Sequence, residues 1–377
     1  MDEQDYPIIA EDAQLISEDE DSEDEDIPQQ GSAVSEGDKT ASEGDTQWTT
    51  EEGIDFHLNG KTKNGAEPVI IHDEEDRQPT NLAAALLRLH HRFGHVSFHA
   101  LQQMAKQGVI PHRLAKCPIP VCSACLYAKA TRRAWRSRSK SNKDEAYVPL
   151  KPGQCVLVDQ LVSPTPGFVA QMTGILTIAR YRCATVYVDQ ASKLSFTYLQ
   201  KTATAEETLL GKAAFEHYAK DRGVTIQAYH ADNGIFKANK WVLACRAQGQ
   251  RLTFAGVNAH HQNGLAERRI RSLQELARAM LIHATKRWPQ ATTANLWPYA
   301  LRMANLVFND TPNLQDPEKR TPQQVFSATT TNINAKDWKP FGCPVYVLNN
   351  VLQKGQSQHK WKQRSRVGIY LGPSPQH

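Results

Sequence analysis

The sequence predicts an α/β protein: a mixed β-sheet covered by helices, with a small metal-stapled module before it and a small β domain after it. Three observations predict this. From Gln154 onward, strand-like segments come first and then helices and strands alternate, the order of a mixed sheet with flanking helices. Upstream, histidines and cysteines stand at metal-ligand spacing. The charge is also divided. The 377 residues sum to +4, yet residues 1–80 hold 25 acidic and 4 basic residues and the remainder 15 and 40. Such asymmetry is expected of proteins that meet nucleic acid.

The elements follow in order. Residues 1–80 have few aromatics and include the run SEDEDSEDED (17–26). A segment so polar buries too little apolar area to offset the entropy of ordering, so disorder is expected. It serves as a spacer or, alternatively, as an acidic arm that folds back on the basic body and competes with DNA. No apolar stretch approaches the ~18 residues of a membrane span, and the acidic N-terminus does not read as a secretory signal. Seven sparse cysteines fit a reducing compartment better than a disulfide scaffold.

Leu82, Leu86, Leu87 and Leu89 predict one apolar helical face, capped by Asn81 or Thr80, and a second helix is expected over Ser97–Lys106. Residues 129–143 are rich in Lys and Arg and lack acids. Pro149, Pro152 and Gly153 follow, so a basic linker is expected here, with phosphate contact or nuclear import as its use. Segments 155–159, 175–189 and 194–199 predict an antiparallel three-strand meander. Then come a helix over 205–220, a strand over 224–232, a helix over 237–248, a strand over 251–256, and helices over 263–286 and 294–308. After Pro340, CPVYVLN and SRVGIYLG predict a small β domain.

Two constellations carry chemistry. LHHRFGH (89–95) and CSAC (122–125) offer two imidazoles and two thiolates, a closed tetrahedral shell for a structural Zn²⁺. The ligands are His90, His95, Cys122 and Cys125. His91 is the alternative first ligand. Cys117 is the alternative thiolate, but it reads better as an ordinary small residue. In the acid-poor body, Asp159 and Asp232 end strands, and Glu267 opens a long helix. Three such carboxylates suit Mg²⁺, and two ions can stabilise both the attacking and the leaving oxygen of a phosphoryl displacement. In the long helix, Ile270, Leu273, Ala277, Met280 and Ala284 form the expected buried stripe. Glu267, Arg271, Gln274 and Arg278 form a polar one along which a phosphate backbone can run. Asp189 reads as turn chemistry.

LHHRFGH…CSAC, VLVDQ, HADNG and HQNGLAERRIRSLQELARAML together resemble the integrase region of Copia-type (Ty1/copia) LTR retrotransposons. TPQQVF (321–326), KPFGCPVYVL (339–348) and RSRVGIYLG (364–372) continue the resemblance, which covers about residues 82–377. Its departures are Leu89, where the family usually has tryptophan, 34 residues between Asp232 and Glu267, where it usually has 35, and VLVDQLVSPTPG around Asp159, where it usually has an HxD-like context followed by a Gly-Pro turn. The resemblance implies an RNase H-like mixed five-stranded sheet with flanking helices over 153–312, after a disordered acidic segment (1–80), a zinc-binding pre-integrase domain (81–128) and a basic linker (129–152). A helical extension (313–338) and a partial SH3-like β domain (339–377) follow. It implies a DDE-type DNA strand transferase that joins the 3′ ends of element DNA to target DNA. Asp159, Asp232 and Glu267 would then be the catalytic ligands of two Mg²⁺ or Mn²⁺ ions, and His90, His95, Cys122 and Cys125 the ligands of one Zn²⁺. Asn263, Arg268, Arg271, Arg132 and Arg133 are the expected nucleic-acid contacts. The implied partners are double-stranded DNA and further copies of the chain, with no membrane, in the nucleus after a cytoplasmic stage. The alternative is a catalytically inactive or domesticated fragment that binds zinc and nucleic acid.

Overall fold

The computed structural model describes residues 81–131, 151–170, 177–255, 263–330 and 337–373. The expected disordered segment (1–80) and most of the basic linker, with Arg132 and Arg133, lie outside the described residues. No helix among the described residues is long and apolar enough to cross a membrane.

Five strands form the central mixed sheet: β1 (Val156–Phe168), β2 (Arg180–Asp189), β3 (Ser195–Gln200), β4 (Ala228–Ala231) and β5 (Arg251–Phe254), in the order β3-β2-β1-β4-β5. β1, β2 and β3 make the expected antiparallel meander, with Asp159 opposite Val186. β4 pairs with β1 in parallel, Val158 beside Ala231, and β5 pairs in parallel with β4. This is the RNase H-like arrangement. β1 runs well past the expected 155–159. It continues through Pro164 and Pro166 as an irregular extension, with a register shift between Val162 and Gly167. Prolines cannot donate to a ladder, and the irregularity accommodates them. β4 is shorter than expected, beginning at Ala228.

Strand side chains alternate between two faces, and each face has its own core. Val156, Val158, Tyr187 and Tyr229 join Phe215 of α4 (Ala205–Lys220) and Trp241 of α5 (Asn239–Ala247). Leu157, Leu161, Ala184 and Val186 instead pack with α6 (Gly264–Arg287) and α7 (Trp297–Asp310). This second core extends without a break into α1 (Leu82–Arg92) and α2 (Phe98–Lys106), through Leu86, Phe93, Leu101 and Met104, and out to Trp338 and Phe341. α3 (Ser123–Ala128) lies against α6.

Asn81 caps α1 by accepting from the Ala84 amide at 2.8 Å, and Ser97 caps α2. The buried face of α1 differs from the leucine stripe expected. Leu82 is exposed, and Leu86, His90 and His91 are the buried residues. In α6, Leu273, Ala277, Met280 and Ala284 are buried as expected. Ile270 is only half-buried, and Arg269 and His283 are buried instead. After α8 (Pro322–Ser327), β6 (Pro344–Leu348), α9 (Asn350–Gln353) and β7 (Ser365–Ile369) complete the elements. The last two strands form a separate antiparallel pair.

Candidate metal centres and nucleic-acid face

The segment after α1 turns on two consecutive left-handed residues, Gly94 (φ 59°) and His95 (φ 61°). Glycine adopts this conformation freely, whereas a side chain such as His95 is strained in it. A Cβ on Gly94 would also lie 2.5 Å from Met280 Cε. The turn folds His95 back so that its amide donates to the His90 carbonyl at 2.8 Å.

The two imidazoles then face the turn that opens α3. His90 Nε2 lies 3.1 Å from Cys125 Sγ and 3.2 Å from His95 Nδ1, and His95 Nδ1 lies 3.5 Å from both Cys122 Sγ and Cys125 Sγ. Four donor atoms at these separations match the edges of a tetrahedral shell with Zn–S of about 2.3 Å and Zn–N of about 2.0 Å. His90, His95, Cys122 and Cys125 form one group whose donor atoms lie within 4.8 Å of one another. The other ring nitrogen of His90 faces the Val96 carbonyl at 2.7 Å, so Nδ1 donates there and Nε2 keeps its lone pair. Burial lowers the His90 pKa and takes that of His95 down to about 3, which keeps both rings neutral, as ligands must be. A hydrogen bond from Cys125 holds the Cys122 thiol far down, and the same bond pushes Cys125 up. The donor set fits zinc. Cys117 is buried elsewhere, its carbonyl accepting from Gln102.

The sequence did not single out His283. It reaches this centre from α6, with its Nδ1 3.1 Å from His95 Nε2. His91, His95 and His283 form a second group within 4.8 Å, and His91 Nε2 is 3.6 Å from Cys122 Sγ.

Asp159 follows Val158 on β1 and Asp232 follows Ala231, the last residue of β4; Val158 and Ala231 are themselves partners in the parallel pair. By strand alternation, Asp159 shares the face of Leu157 and Leu161, the face that α6 covers. Both aspartates are half-buried. Asp159 Oδ1 accepts from the Gln160 amide at 2.7 Å, and Asp232 Oδ1 accepts from the Gly234 amide at 3.2 Å. A Cβ on Gly234 would come 3.2 Å from Asp232 Oδ2, so the glycine leaves that carboxylate room.

Glu267 is exposed in the first turn of α6. Among the described residues, the three carboxylates do not form a group within 4.8 Å. Hard oxygen donors of this kind suit Mg²⁺, and Asp159 and Asp232 each directly follow one residue of the paired Val158 and Ala231.

Two asparagines expected from the HADNG and QNG motifs act as struts. Asn233 Nδ2 donates to the Ala255 carbonyl at 2.9 Å, just beyond β5. Asn263 Nδ2 donates to the Val158 carbonyl at 3.2 Å. Asn263 was an expected nucleic-acid contact, but it is only 2% exposed and faces inward.

Arg268 and Arg271 are exposed on α6. Arg278 is half-buried and donates to the Ala128 carbonyl at 3.2 Å, so it serves the seam with α3. A cleft of about 710 Å³ runs along the Arg268 side of α6, with Lys129, Lys193, Arg269 and Glu275 among its lining residues. Arg269 is buried, donating to the Lys193 carbonyl and to Ser195 Oγ and lying over the Phe308 ring, and burial lowers its pKa to about 9. Asp189 is fully buried and accepts from the Gly153 and Ser192 amides and the Ser192 hydroxyl, the turn role expected of it.

Residues 66–130 match the GAG-pre-integrase domain family. The chain is 25% identical over 329 residues to the retrovirus-related Pol polyprotein from transposon RE1 of Arabidopsis thaliana, a match covering 84% of this chain and 20% of that protein. It is 24% identical over 262 residues to the corresponding polyprotein from transposon TNT 1-94 of Nicotiana tabacum, covering 68% of this chain and 17% of that one. The chain thus spans about a fifth of the length of these curated relatives. Among solved structures, it is similar to the HTLV-2 integrase catalytic core domain in complex with magnesium (20% identity, 47% of this chain, 98% of that chain, TM-score 0.32). A second is the simian T-cell lymphotropic virus intasome in complex with a PP2A regulatory subunit, B56 gamma (19% identity, 62% and 74% of the two chains, TM-score 0.37).

Proposed function

We propose that this chain, which its pre-integrase match and its relatives mark as a Copia-type retrotransposon integrase region, is a polynucleotidyl transferase joining the 3′ ends of element DNA to target DNA. The observation that carries the proposal is the parallel pairing of Val158 and Ala231, the residues directly before Asp159 and Asp232, with the start of α6 anchored to the same Val158 by Asn263.

Bound Mg²⁺ or Mn²⁺ ions, two at the site, would activate the attacking 3′-hydroxyl and stabilise the leaving 3′-oxygen. Asp159 and Asp232 supply ligand oxygens from the sheet, and Glu267 supplies a third carboxylate from α6. None of the three acts as a nucleophile. Arg268 and Arg271 face solvent on the same helix and take the phosphate backbone, as do Arg132 and Arg133 in the linker. His90, His95, Cys122 and Cys125 hold one structural Zn²⁺, which ties the turn between α1 and α2 to the start of α3 within the pre-integrase module. The functional units are the acidic segment (1–80), zinc module (81–128), basic linker (129–152), catalytic core (153–312), extension (313–338) and SH3-like β segment (339–377). Several copies act together on two DNA ends in the nucleus.

The test is strand transfer of a pre-cut DNA end into plasmid by the full chain with Mg²⁺ or Mn²⁺. Wild type gives joined product and Asp232→Asn gives none; equal product from the two would overturn the catalytic assignment. The second reading, a catalytically inactive zinc- and nucleic-acid-binding fragment, has one observation on its side: the three carboxylates do not gather within 4.8 Å. In the same assay it gives DNA binding without joining.

A further inference from the structure

His283 belongs to α6, the helix that carries Glu267, yet its ring lies in the zinc module. It is 5% exposed, and its centroid lies 4.1 Å from that of His91 and 5.0 Å from that of His95. Its Nδ1 lies 3.1 Å from His95 Nε2, and its Nε2 has no hydrogen-bond partner among the described residues.

The protons on this chain of rings are fixed by the metal-facing end. His95 Nδ1 is the atom close to His90 Nε2 and to both sulfurs, so Nδ1 must present a lone pair to the ion. A neutral imidazole with a bare Nδ1 carries its proton on Nε2. That proton points at His283 Nδ1, which accepts it. His283 therefore stands behind a ligand rather than in the ligand shell. To ligate, it would need His95 to turn its other nitrogen to the ion. The second group, His91, His95 and His283, is on this reading an outer layer behind the tetrahedral one.

We propose that His283 is a positioning residue: by accepting the His95 Nε2–H it commits His95 Nδ1 to zinc and couples occupancy of the zinc site to the order of α6. The proposal rests on the zinc reading above. Outer-layer partners of metal-bound histidines typically alter metal affinity by about ten- to a hundredfold. Glu267 lies 16 residues before His283 on one continuous helix, about 24 Å along its axis. The same helix start is tied to β1 by Asn263.

The experiment measures zinc affinity by competition with a chromogenic chelator, together with amide hydrogen exchange of α6 with and without zinc, on the full chain. His283→Leu fills the space without an acceptor. His283→Asn places an amide oxygen near the position of Nδ1. The expected result is one zinc per chain in all three proteins at saturation. Affinity should fall about ten- to a hundredfold in His283→Leu and stay close to wild type in His283→Asn. Zinc should slow exchange along α6 in wild type and His283→Asn, and much less in His283→Leu. Unchanged affinity in His283→Leu would overturn the proposal. So would complete loss of zinc, as in a ligand variant, or an Asn variant as weak as the Leu variant, which would indicate packing alone. A wild-type chain that binds no zinc defeats the zinc reading itself and this inference with it, an outcome distinct from the others.

Discussion

The side-chain amide of Asn263 donates to the backbone carbonyl of Val158 across 3.2 Å, joining the residue that precedes α6 to the residue that precedes Asp159. The bond is buried and spans the two elements that carry Asp159 and Glu267. Asn263→Ala leaves that carbonyl without its side-chain partner. The expected cost is about 1–2 kcal/mol of stability, read as a lower urea midpoint. Strand transfer should fall more than DNA binding does. An Ala variant with unchanged stability and joining would show that the strut is dispensable.

The carboxylates should behave as ligands and not as structural charges. Asp159→Asn, Asp232→Asn and Glu267→Gln are each expected to lower joining by at least about a hundredfold, the scale seen when preorganised charge is removed from an active site. Thermal midpoints should remain within a few degrees of wild type. A variant that unfolds would instead assign that acid to the fold.

Removing the zinc shell should loosen the module that α6 supports. Cys122→Ser is expected to abolish the single bound zinc, and chelation of wild type should lower its melting temperature. Metal analysis of freshly purified wild type that finds no zinc would end this reading.

Gly94 is constrained twice, by its left-handed backbone and by Met280 Cε, which would stand 2.5 Å from an added Cβ. The methionine end can shift, but the backbone strain remains. Gly94→Ala is expected to destabilise by about 1–3 kcal/mol and to weaken zinc retention. Equilibrium denaturation with zinc present checks this.

Asp310 ends α7, and burial raises its carboxyl pKa to about 6, above the ordinary 3.8. Between those values the folded chain holds a proton that the unfolded chain has released, so stability falls as pH rises from 3.8 to about 6 and then levels off. Asp310→Asn removes this dependence. It should stabilise the protein at pH 7.5 by up to about 3 kcal/mol and change little at pH 4. An equal effect at both pH values would contradict it.

The helices and the three-strand meander were legible because periodicity and capping act locally, whereas the order of the other two strands depends on parallel pairing far along the chain. The helix at 205–220 matches its expected bounds, Asn81 caps α1 as expected, and the helix expected from Ser97 begins directly after it. The four zinc-ligand candidates were legible from spacing, and they do come together. His283 was not, because a lone histidine far along the chain carries no spacing signal. Arg269 was hidden in a run of charges that reads as a solvated face. Only the fold supplies the Lys193 carbonyl, the Ser195 hydroxyl and the Phe308 ring that receive it. Asn263 was visible as part of a motif, but its inward direction depends on where β1 passes. β1 itself exceeded its apparent end because prolines mask a strand that an irregular register accommodates.

The apolar core that runs unbroken from Leu86 through Met280 to Phe341 bears on how such a chain can change over time. A module whose hydrophobic face is completed by α6 cannot be exchanged between chains as a detachable cassette. A recombinant that joined one lineage's module to another's core would mismatch Phe93, Gly94 and His95 against a foreign helix. Exchange would succeed only when the break falls outside the whole of residues 82–341, so module and core are expected to descend as one heritable unit.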